Sequence, residues 1–253
     1  MIYDCLLYAS LGCEKRLFEI RHAELACLGV QHVVIESDVT FTGLPKVSHP
    51  LGHYPNTHHE LLPMSTWGTD MTPWEREKFQ RNYIKQVLEQ QFHPKPDDII
   101  ILSDVDEIAR WQVVKQYRPH FGQCALLMDV LYFYLNTFSS RQTWRHAKIF
   151  PYSHLNNLTP EQIRNEGAAF AMLDAGHHFT YMGDVDTILE KFKAFSHQEA
   201  NVQAYANREL LEDKRWRLTG IWDNSQLLIL EPTELPEYVQ KNTALFKDLL
   251  YVQ

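Results

Sequence analysis

The chain has 253 residues, which is enough for one large domain or two small ones with a buried core. Hydrophobic residues make up 45% of the chain and charged residues 22%, so the composition is globular and excludes a disordered or fibrous protein. The net charge is −8, whereas non-specific binding to nucleic acid depends on clustered positive charge. We therefore expect no nucleic-acid partner.

The first strand and helix are followed by a second strand, which is the order of a βαβ unit. Residues 2–8 form an apolar run of strand length, and residues 14–28 carry apolar side chains at helical spacing. Gly29 is placed to end this helix, and residues 32–36 form the next strand. The pattern predicts parallel strands joined by a right-handed crossover.

Residues 37–65 interrupt the alternation of strands and helices. The segment is rich in glycine and proline and shows no hydrophobic period, which is typical of a functional or mobile loop. Its four histidines admit a metal site, but a solvated loop is favoured because no helix or hairpin is predicted to hold them. These histidines are His49, His53, His58 and His59.

A capped helix and a buried strand follow this loop. Thr72 is placed as an N-cap with Pro73 at the first helical position and Glu75 three residues on, a capping box that opens a helix to about residue 92. Residues 98–102 are continuously apolar, which predicts a central strand covered on both faces.

The remaining pattern again alternates between strands and helices, with a second capping box at Thr159. Strands are predicted over residues 125–135, 147–151, 170–173 and 178–182, and helices over residues 111–117, 188–195 and 199–211. The tail from about residue 227 shows no clear pattern. Because no linker divides the chain, we predict one α/β domain over residues 1–253 with a mostly parallel sheet flanked by helices.

The spacing of the cysteines and the composition of the N-terminal residues bear on the cellular compartment of the protein. Cys5, Cys13, Cys27 and Cys124 show no CxxC spacing, which suits a reducing environment. Asp4 interrupts the first apolar run, which also lacks a basic flank, so the run is not predicted to be a signal peptide. No apolar stretch approaches the ~20 residues of a membrane span. We predict a cytoplasmic protein without a transmembrane segment.

Three carboxylates lie directly after the predicted central strand. Asp104, Asp106 and Glu107 fall at its carboxyl end, where ligands bind in open α/β sheets. In extended backbone the two aspartates would project to one side, where they repel unless a cation or a proton lies between them. Oxygen ligands favour Mg²⁺ or Mn²⁺, and such a cation would bridge the protein to a diphosphate. The alternative is that an aspartate caps the next helix while the others are surface acids.

Several blocks of sequence, taken in order, resemble glycosyltransferase family 17. The resemblance spans roughly residues 1–225. The blocks are Met1-Ile-Tyr-Asp-Cys5, Phe18-Glu-Ile-Arg21, Val34-Ile-Glu36, Thr40-Phe-Thr-Gly43 with Lys46, Trp74-Glu-Arg-Glu-Lys-Phe-Gln-Arg-Asn82, Ser103-Asp-Val-Asp-Glu-Ile108, Ala175-Gly-His-His-Phe-Thr-Tyr181 and Lys193-Ala-Phe-Ser-His-Gln-Glu199.

The resemblance implies a GT-A-like, Rossmann-like fold that binds a nucleotide sugar. It implies a Mn²⁺ or Mg²⁺ ion held by Asp104 and Asp106, and transfer with inversion to a hydroxyl of a glycan acceptor. The expected donor is UDP-linked, for example UDP-GlcNAc. His178 matches the family's histidine, whereas His177 stands where the family usually has a tryptophan that could stack on a sugar.

The matched residues suggest a donor site, and each has a simpler alternative. Arg76 and Arg81 lie near the start of the capped helix and could meet phosphate, or Arg81 could pair with Glu77 on an exposed face. Glu36 could accept hydrogen bonds from a base or ribose, or could be an exposed strand end. The set expected to bind the donor is Glu36, Lys46, Arg76, Arg81 and Asp104.

The metal ligands are expected to be Asp104, Asp106 and His178. His178 could instead donate to phosphate or lie in the core. The base that deprotonates the acceptor is expected to be Glu107, with Asp174 and Asp223 as the next candidates.

Two other classes of function compete with a glycosyltransferase. One is a phosphotransferase or phosphatase with Asp104 as nucleophile and Asp106 as acid, although such aspartates usually follow the first strand of a domain. The other is a non-catalytic module that binds a nucleotide sugar or carbohydrate. P-loop, serine-hydrolase and zincin motifs do not occur.

Overall fold

The computed structural model describes residues 1–200 and 204–252. Within these residues the fold is a mixed sheet of ten strands flanked by helices. The strands of these residues are β1 (Ile2–Tyr8), β2 (Gln31–Ser37), β3 (Thr57–Leu62), β4 (Ile99–Asp104), β5 (Glu107–Ala109), β6 (Cys124–Phe133), β7 (Thr137–Trp144), β8 (Lys148–Pro151), β9 (Phe170–Met182) and β10 (Leu228–Ile229). Their α-helices are α1 (Glu14–Leu25), α2 (Met64–Trp67), α3 (Pro73–Val87), α4 (Trp111–Gln116), α5 (Pro160–Asn165), α6 (Val185–Ala194), α7 (Arg208–Arg217) and α8 (Glu237–Lys241). The predicted α/β class is confirmed.

The sheet has a parallel half and a largely antiparallel half. Its strands follow the order β10-β7-β6-β8-β4-β1-β2-β3, with β9 beside β6 and β5 beside β9. Strands β4, β1, β2 and β3 run parallel, whereas β8, β7 and β10 enter by antiparallel pairs. The prediction of a mostly parallel sheet is therefore wrong. Only residues 134–136 separate β6 from β7, and a connection this short permits only antiparallel pairing.

The N-terminal βαβ unit is confirmed. Strand β1 spans the predicted residues and pairs in parallel with β2, with Cys5 opposite Val33. Helix α1 continues as one 3₁₀ turn, and Gly29 ends it in the left-handed conformation at φ 62°. Both capping boxes are also present. The Thr72 hydroxyl accepts from the Glu75 N–H, and the Glu75 carboxylate accepts from the Thr72 N–H. Thr159 and Gln162 form the same pair of hydrogen bonds.

Part of the expected loop is regular structure. Strand β3 extends the parallel sheet from β2, and α2 follows it, so the prediction of no regular structure over residues 37–65 is wrong there. The segment Thr57–Leu62 is polar because it forms the edge of the sheet, where side chains meet water. His58 pairs with Glu60 and His59 lies beside Glu36, and the candidate metal ligands grouped in the described residues include neither histidine.

The C-terminal elements differ more from prediction. Strand β7 is polar (Thr-Phe-Ser-Ser-Arg-Gln-Thr-Trp) and carries no strand period, which explains why it was not predicted. The helix predicted over residues 199–211 is replaced by α7, and residues 201–203 lie outside the described part. The tail joins the fold, because β10 pairs with β7 and the Tyr238 hydroxyl of α8 donates to Glu19 of α1 at 2.7 Å.

All four cysteines are free thiols, and two of them, Cys5 and Cys124, are buried. Within residues 1–200 and 204–252, the helices are too short or too polar to cross a membrane.

A buried ion pair connects α1 to the acidic loop after β4. The guanidinium of Arg21 binds Asp4 in a bidentate pair, and neither side chain is exposed. The same guanidinium donates to the carbonyls of Asp104 at 2.9 Å and Glu107 at 2.7 Å, and to the Ser103 hydroxyl at 2.6 Å. Arg21 therefore fixes the backbone that carries the acidic side chains.

We expect Asp4→Asn to lower the free energy of unfolding by about 3–5 kcal/mol, because Arg21 would keep a buried charge without its counter-ion. Urea unfolding measures this effect. Asp213→Asn is the matched control, since Asp213 pairs with Arg217 on the surface of α7 and should change stability by about 0.5 kcal/mol or less. Equal stability of the two variants would contradict the structural role of the ion pair.

Candidate active site

A cavity of about 780 Å³ opens at the carboxyl ends of β1, β2 and β4. Chain order explains its position. Strand β1 lies between β2 and β4. The chain passes from β1 to β2 through α1 and returns from β3 to β4 through α3, so the strand order reverses beside β1 and opens a crevice at this edge. Side chains from β1, β4, β9, α3 and α6 face the cavity, including Tyr8, Asp104, His178, Arg81 and Lys191.

Asp104 is held by two arginines. Its carboxylate oxygens accept from Arg81 Nη1 at 2.7 Å and from Arg164 Nη2 at 2.5 Å. Burial opposes ionisation, but the charges of Arg164 and Arg81 outweigh it and hold the pKa of Asp104 well below its usual range. Asp104 is therefore an anion whose charge is neutralised within the protein.

Asp106, Glu107 and His178 form a group that can hold a metal ion. One potential ligand atom from each lies within 4.8 Å of the others. Burial lowers the pKa of His178, so its imidazole is neutral at pH 7, which is the form that binds metals. Its Nδ1 is buried without a hydrogen-bond partner. The donor set fits a divalent cation, and Lys191 Nζ, 2.8 Å from Asp106, occupies one of the carboxylate oxygens in this state.

The three residues expected to act as base do not face the cavity. Glu107 is 0% exposed, and its carboxylate accepts from Arg164 at 2.6 and 2.9 Å and from Trp144 Nε1 at 2.6 Å. Asp174 is exposed beside Arg110, with 75% of its side chain accessible. Asp223 accepts from the hydroxyl and N–H of Ser225. Glu107 nevertheless lies with the metal-binding group, whereas Asp174 and Asp223 do not.

The residues expected to bind the donor separate into two groups. Arg81 and Lys46 face the cavity together with Asp104. Glu36 lies behind them, where its carboxylate accepts from Lys46 and from the Ser48 hydroxyl at 2.7 Å. Arg76 does not face the cavity, because it donates to the carbonyls of Phe41 at 3.1 Å and Gly68 at 2.8 Å and so connects two loops.

Arg81 and Arg164 bring two guanidinium groups to the cavity, each paired with carboxylates. Arg81 is buried, and besides Asp104 it binds Glu77 at 2.5 Å and Glu161 at 2.8 Å. The expected pairing of Arg81 with Glu77 at helical spacing is present, but in a buried cluster rather than on an exposed face. Arg164, on α5, was not singled out in the sequence because only the fold brings it to β4.

The comparison with known families agrees with this geometry. The sequence profile of glycosyltransferase family 17 matches residues 1–219. The chain belongs to glycosyltransferase family 17. It is therefore a glycosyltransferase, and its family implies a sugar donor and a glycan acceptor. No curated protein sequence matches the chain.

His177 of this family 17 glycosyltransferase points away from the cavity. It alternates with His178 along β9, so its ring lies on the other face of the strand, 1% exposed and 3.3 Å from Arg110. Burial, reinforced by Arg110, lowers the pKa of His177 to about 3. The residue that departs from the family pattern therefore lies outside the cavity lining.

Glu14 is a cavity-facing carboxylate that the sequence did not reveal. Six carboxylates face the cavity of this glycosyltransferase, and five lie within 4.0 Å of a cationic or histidine side chain; these are Glu77, Asp104, Asp106, Glu161 and Glu199. Within the described residues, no such partner is found for Glu14, which accepts from the Ala9 N–H at 2.7 Å. Burial raises its pKa to about 7. In the sequence it looks like an ordinary acid in the first turn of a helix.

Proposed function

We propose that this enzyme is a metal-dependent, inverting glycosyltransferase that moves a sugar from a UDP-linked donor, such as UDP-GlcNAc, to a hydroxyl of a glycan. The observation that carries the proposal is the grouping of Asp106, Glu107 and His178 beside Arg81, Arg164 and Lys191 at the carboxyl end of β4. The cationic side chains can bind an anionic ligand, and the acidic side chains with His178 can bind a divalent cation. The parallel strands β1, β2 and β4 with an acidic loop at their ends support a GT-A-like fold.

The cationic side chains supply the binding site for a diphosphate. Arg81 and Arg164 line the cavity and are oriented by Asp104; they also pair with Glu77, Glu161 and Glu107, and Lys191 adds an ammonium group. Oriented guanidinium groups suit phosphate because they donate parallel hydrogen bonds. The nucleoside would lie toward β1 and β2, where Tyr8, Ser37, Val39 and Lys46 line the cavity.

Asp106 and His178 would hold the Mn²⁺ or Mg²⁺ ion, and Glu107 would join them by giving up a hydrogen bond from Arg164. When bound, the ion would neutralise charge on the diphosphate as it leaves. On this proposal Lys191 turns from Asp106 toward the phosphate, and Asp104 keeps Arg81 in place rather than binding the metal.

Glu14 is the carboxylate that the geometry favours as the base. A base must be ionised and free to take a proton, whereas a carboxylate bound by arginine is weakly basic. In the reaction, the acceptor hydroxyl loses its proton to Glu14 while its oxygen attacks the anomeric carbon. The bond to the diphosphate breaks on the opposite face, and its electron pair remains on the departing UDP.

The phosphotransferase alternative is less well supported. It needs Asp104 as a nucleophile, yet both of its oxygens accept hydrogen bonds from guanidinium groups. Membership of a glycosyltransferase family favours sugar transfer over this chemistry and over a non-catalytic binding module.

Calorimetry of UDP binding tests the proposal. Because acidic groups surround the site of a protein with net charge −8, we expect UDP to bind with Mn²⁺ or Mg²⁺ present, and its affinity to fall at least about tenfold in EDTA and to recover when metal is restored. Hydrolysis of UDP-GlcNAc by the same sample separates an enzyme from a binding module. Equal affinity for UDP with and without metal would contradict the role assigned to Asp106 and His178.

A further inference from the structure

The cavity extends well beyond the region assigned to the donor. The sheet order places β1 and β2 on one side of β4, and β6 and β7 on the other. Tyr132 of β6, Gln142 of β7 and Tyr181 of β9 nevertheless face the same cavity as Tyr8 of β1. A nucleotide bound toward β1 and β2 leaves this second side of the cavity for another ligand.

An aromatic wall lines this second side. It consists of Tyr181, Tyr205 and Trp222. The Trp222 ring contacts both tyrosines, with its centroid 4.7 Å from that of Tyr205 and 5.8 Å from that of Tyr181. Tyr181 is held from behind by Phe192 at 5.1 Å, so the wall has a rigid base. Trp222 remains 38% exposed although its neighbours are packed.

Polar groups border the wall. Gln142 faces the cavity, and its carbonyl oxygen accepts from the Tyr132 hydroxyl at 2.7 Å. Asp223, which follows Trp222 directly, has its pKa lowered, against the effect of burial, by hydrogen bonds from Ser225 and to a smaller extent by the side chain of Gln142. A flat apolar surface with an amide at its edge matches a pyranose ring, which has a C–H face and hydroxyls around its rim.

The wall begins next to the reacting centre. Lys191 Nζ lies 5.4 Å from the centre of the Tyr181 ring and 2.8 Å from the Asp106 carboxylate. A sugar packed on the wall would therefore adjoin the group that is proposed to hold the metal and the leaving diphosphate.

We propose that Tyr181, Tyr205 and Trp222 form the subsite for a pyranose ring of the acceptor glycan. The inference rests on the proposed function, since it takes the donor to occupy the side of the cavity nearer β1 and β2. Trp222 is the residue that sets affinity for the acceptor sugar, because its ring is the most exposed of the three.

Saturation-transfer NMR with simple sugars tests this subsite. The probes are the methyl β-glycosides of glucose, mannose, galactose and N-acetylglucosamine, each added at millimolar concentration to protein with UDP and Mg²⁺. We expect at least one glycoside to bind the wild-type protein, and Trp222→Ala to weaken that binding about tenfold, whereas Trp222→Phe retains most of it. Trp216→Ala is the matched control, because Trp216 is 85% exposed on α7 and does not face the cavity.

UDP binding, measured on the same variants, distinguishes failure of the subsite from failure of the proposed function. Unchanged affinity of Trp222→Ala for UDP in the presence of Mn²⁺ shows that the variant is folded and the donor site intact. Wild-type protein that binds UDP but none of the four glycosides overturns the proposal, as does a Trp222→Ala variant that binds them normally. If Trp222→Ala weakens binding of UDP-GlcNAc but not of UDP, the wall holds the donor sugar and the proposal is wrong.

Discussion

Replacing Asp106 by asparagine is expected to abolish turnover and to lower the affinity for UDP in the presence of Mn²⁺ by about 100-fold. Asp106 has a buried carboxylate, and Lys191 and His178 outweigh the effect of burial and lower its pKa, so it is an anion at neutral pH. Asparagine keeps the shape but removes the charge, and the loss of one partner from a buried charge pair costs about 2–5 kcal/mol. Calorimetry and a donor-hydrolysis assay measure the two effects.

The metal dependence of this variant provides a second readout. EDTA should no longer change the affinity of Asp106→Asn for UDP, since the metal site is already lost. Asp213→Asn, at the surface of α7, should behave as the wild-type protein in both assays. An Asp106→Asn enzyme that still turns over donor would contradict the assignment of the metal site to this loop.

Replacing Glu14 by glutamine is expected to lower kcat by about 10²–10⁴-fold while the Kd for UDP stays nearly unchanged, because general-base catalysis contributes to the transition state and not to donor binding. The wild-type rate should rise with pH to a plateau, with the midpoint of the rise at or below about pH 7, since burial raises the pKa of Glu14 to about 7 and a bound cation lowers it. Transfer or donor hydrolysis across pH 5 to 9 shows this profile. It should be absent in Glu14→Gln.

The protonation of Glu14 should also affect how the stability of the metal-free protein depends on pH. The pKa of Glu14 lies above its ordinary value of 4.5, so the folded protein binds the proton more tightly than the unfolded chain does. The free energy of unfolding should therefore fall as the pH rises from 4.5 to about 7, and Glu14→Gln should remove that part of the decline.

Glu107→Gln is the comparison that decides between the two candidate bases. Glu107 forms two hydrogen bonds with Arg164, so replacing it by glutamine should lower stability, because that guanidinium would keep only Asp104 of its two carboxylate partners. A Glu107→Gln enzyme with normal stability and normal UDP binding but a lost kcat would return the base to Glu107. Normal kcat in both variants would instead direct the search to Asp174 and Asp223.

Local sequence signals predicted three of the four strands in the parallel half, β1, β2 and β4, but not the polar edge strand β3. The apolar run of β1, the glycine after α1 and the capping box at Thr72 each act through neighbouring residues, so they can be recognised without the fold. Strand β7 has polar side chains and is stabilised by its pairing with β6 within the ten-stranded sheet. No local sequence pattern indicates that pairing, so the sequence does not predict the strand.

The position of the acidic loop at the end of a strand and beside the cavity was predictable from sequence, but the partners of its side chains were not. The acidic loop at the end of β4 lies where the apolar strand placed it. Its counter-charges come from distant helices: Arg164 is 60 residues from Asp104, and Lys191 is 85 residues from Asp106. The aspartates were expected to repel without a metal, and the fold instead gives each of them a cationic side chain.

The contact of Arg21 with the carbonyls of Asp104 and Glu107 affects the thermodynamics of ligand binding. Residues 104–107, which lie between these carbonyls, lose their conformational freedom when the chain folds. Ligand binding therefore does not have to supply the free energy of ordering them. The acidic side chains are therefore preorganised, and a cation or nucleotide meets a loop that is already in place.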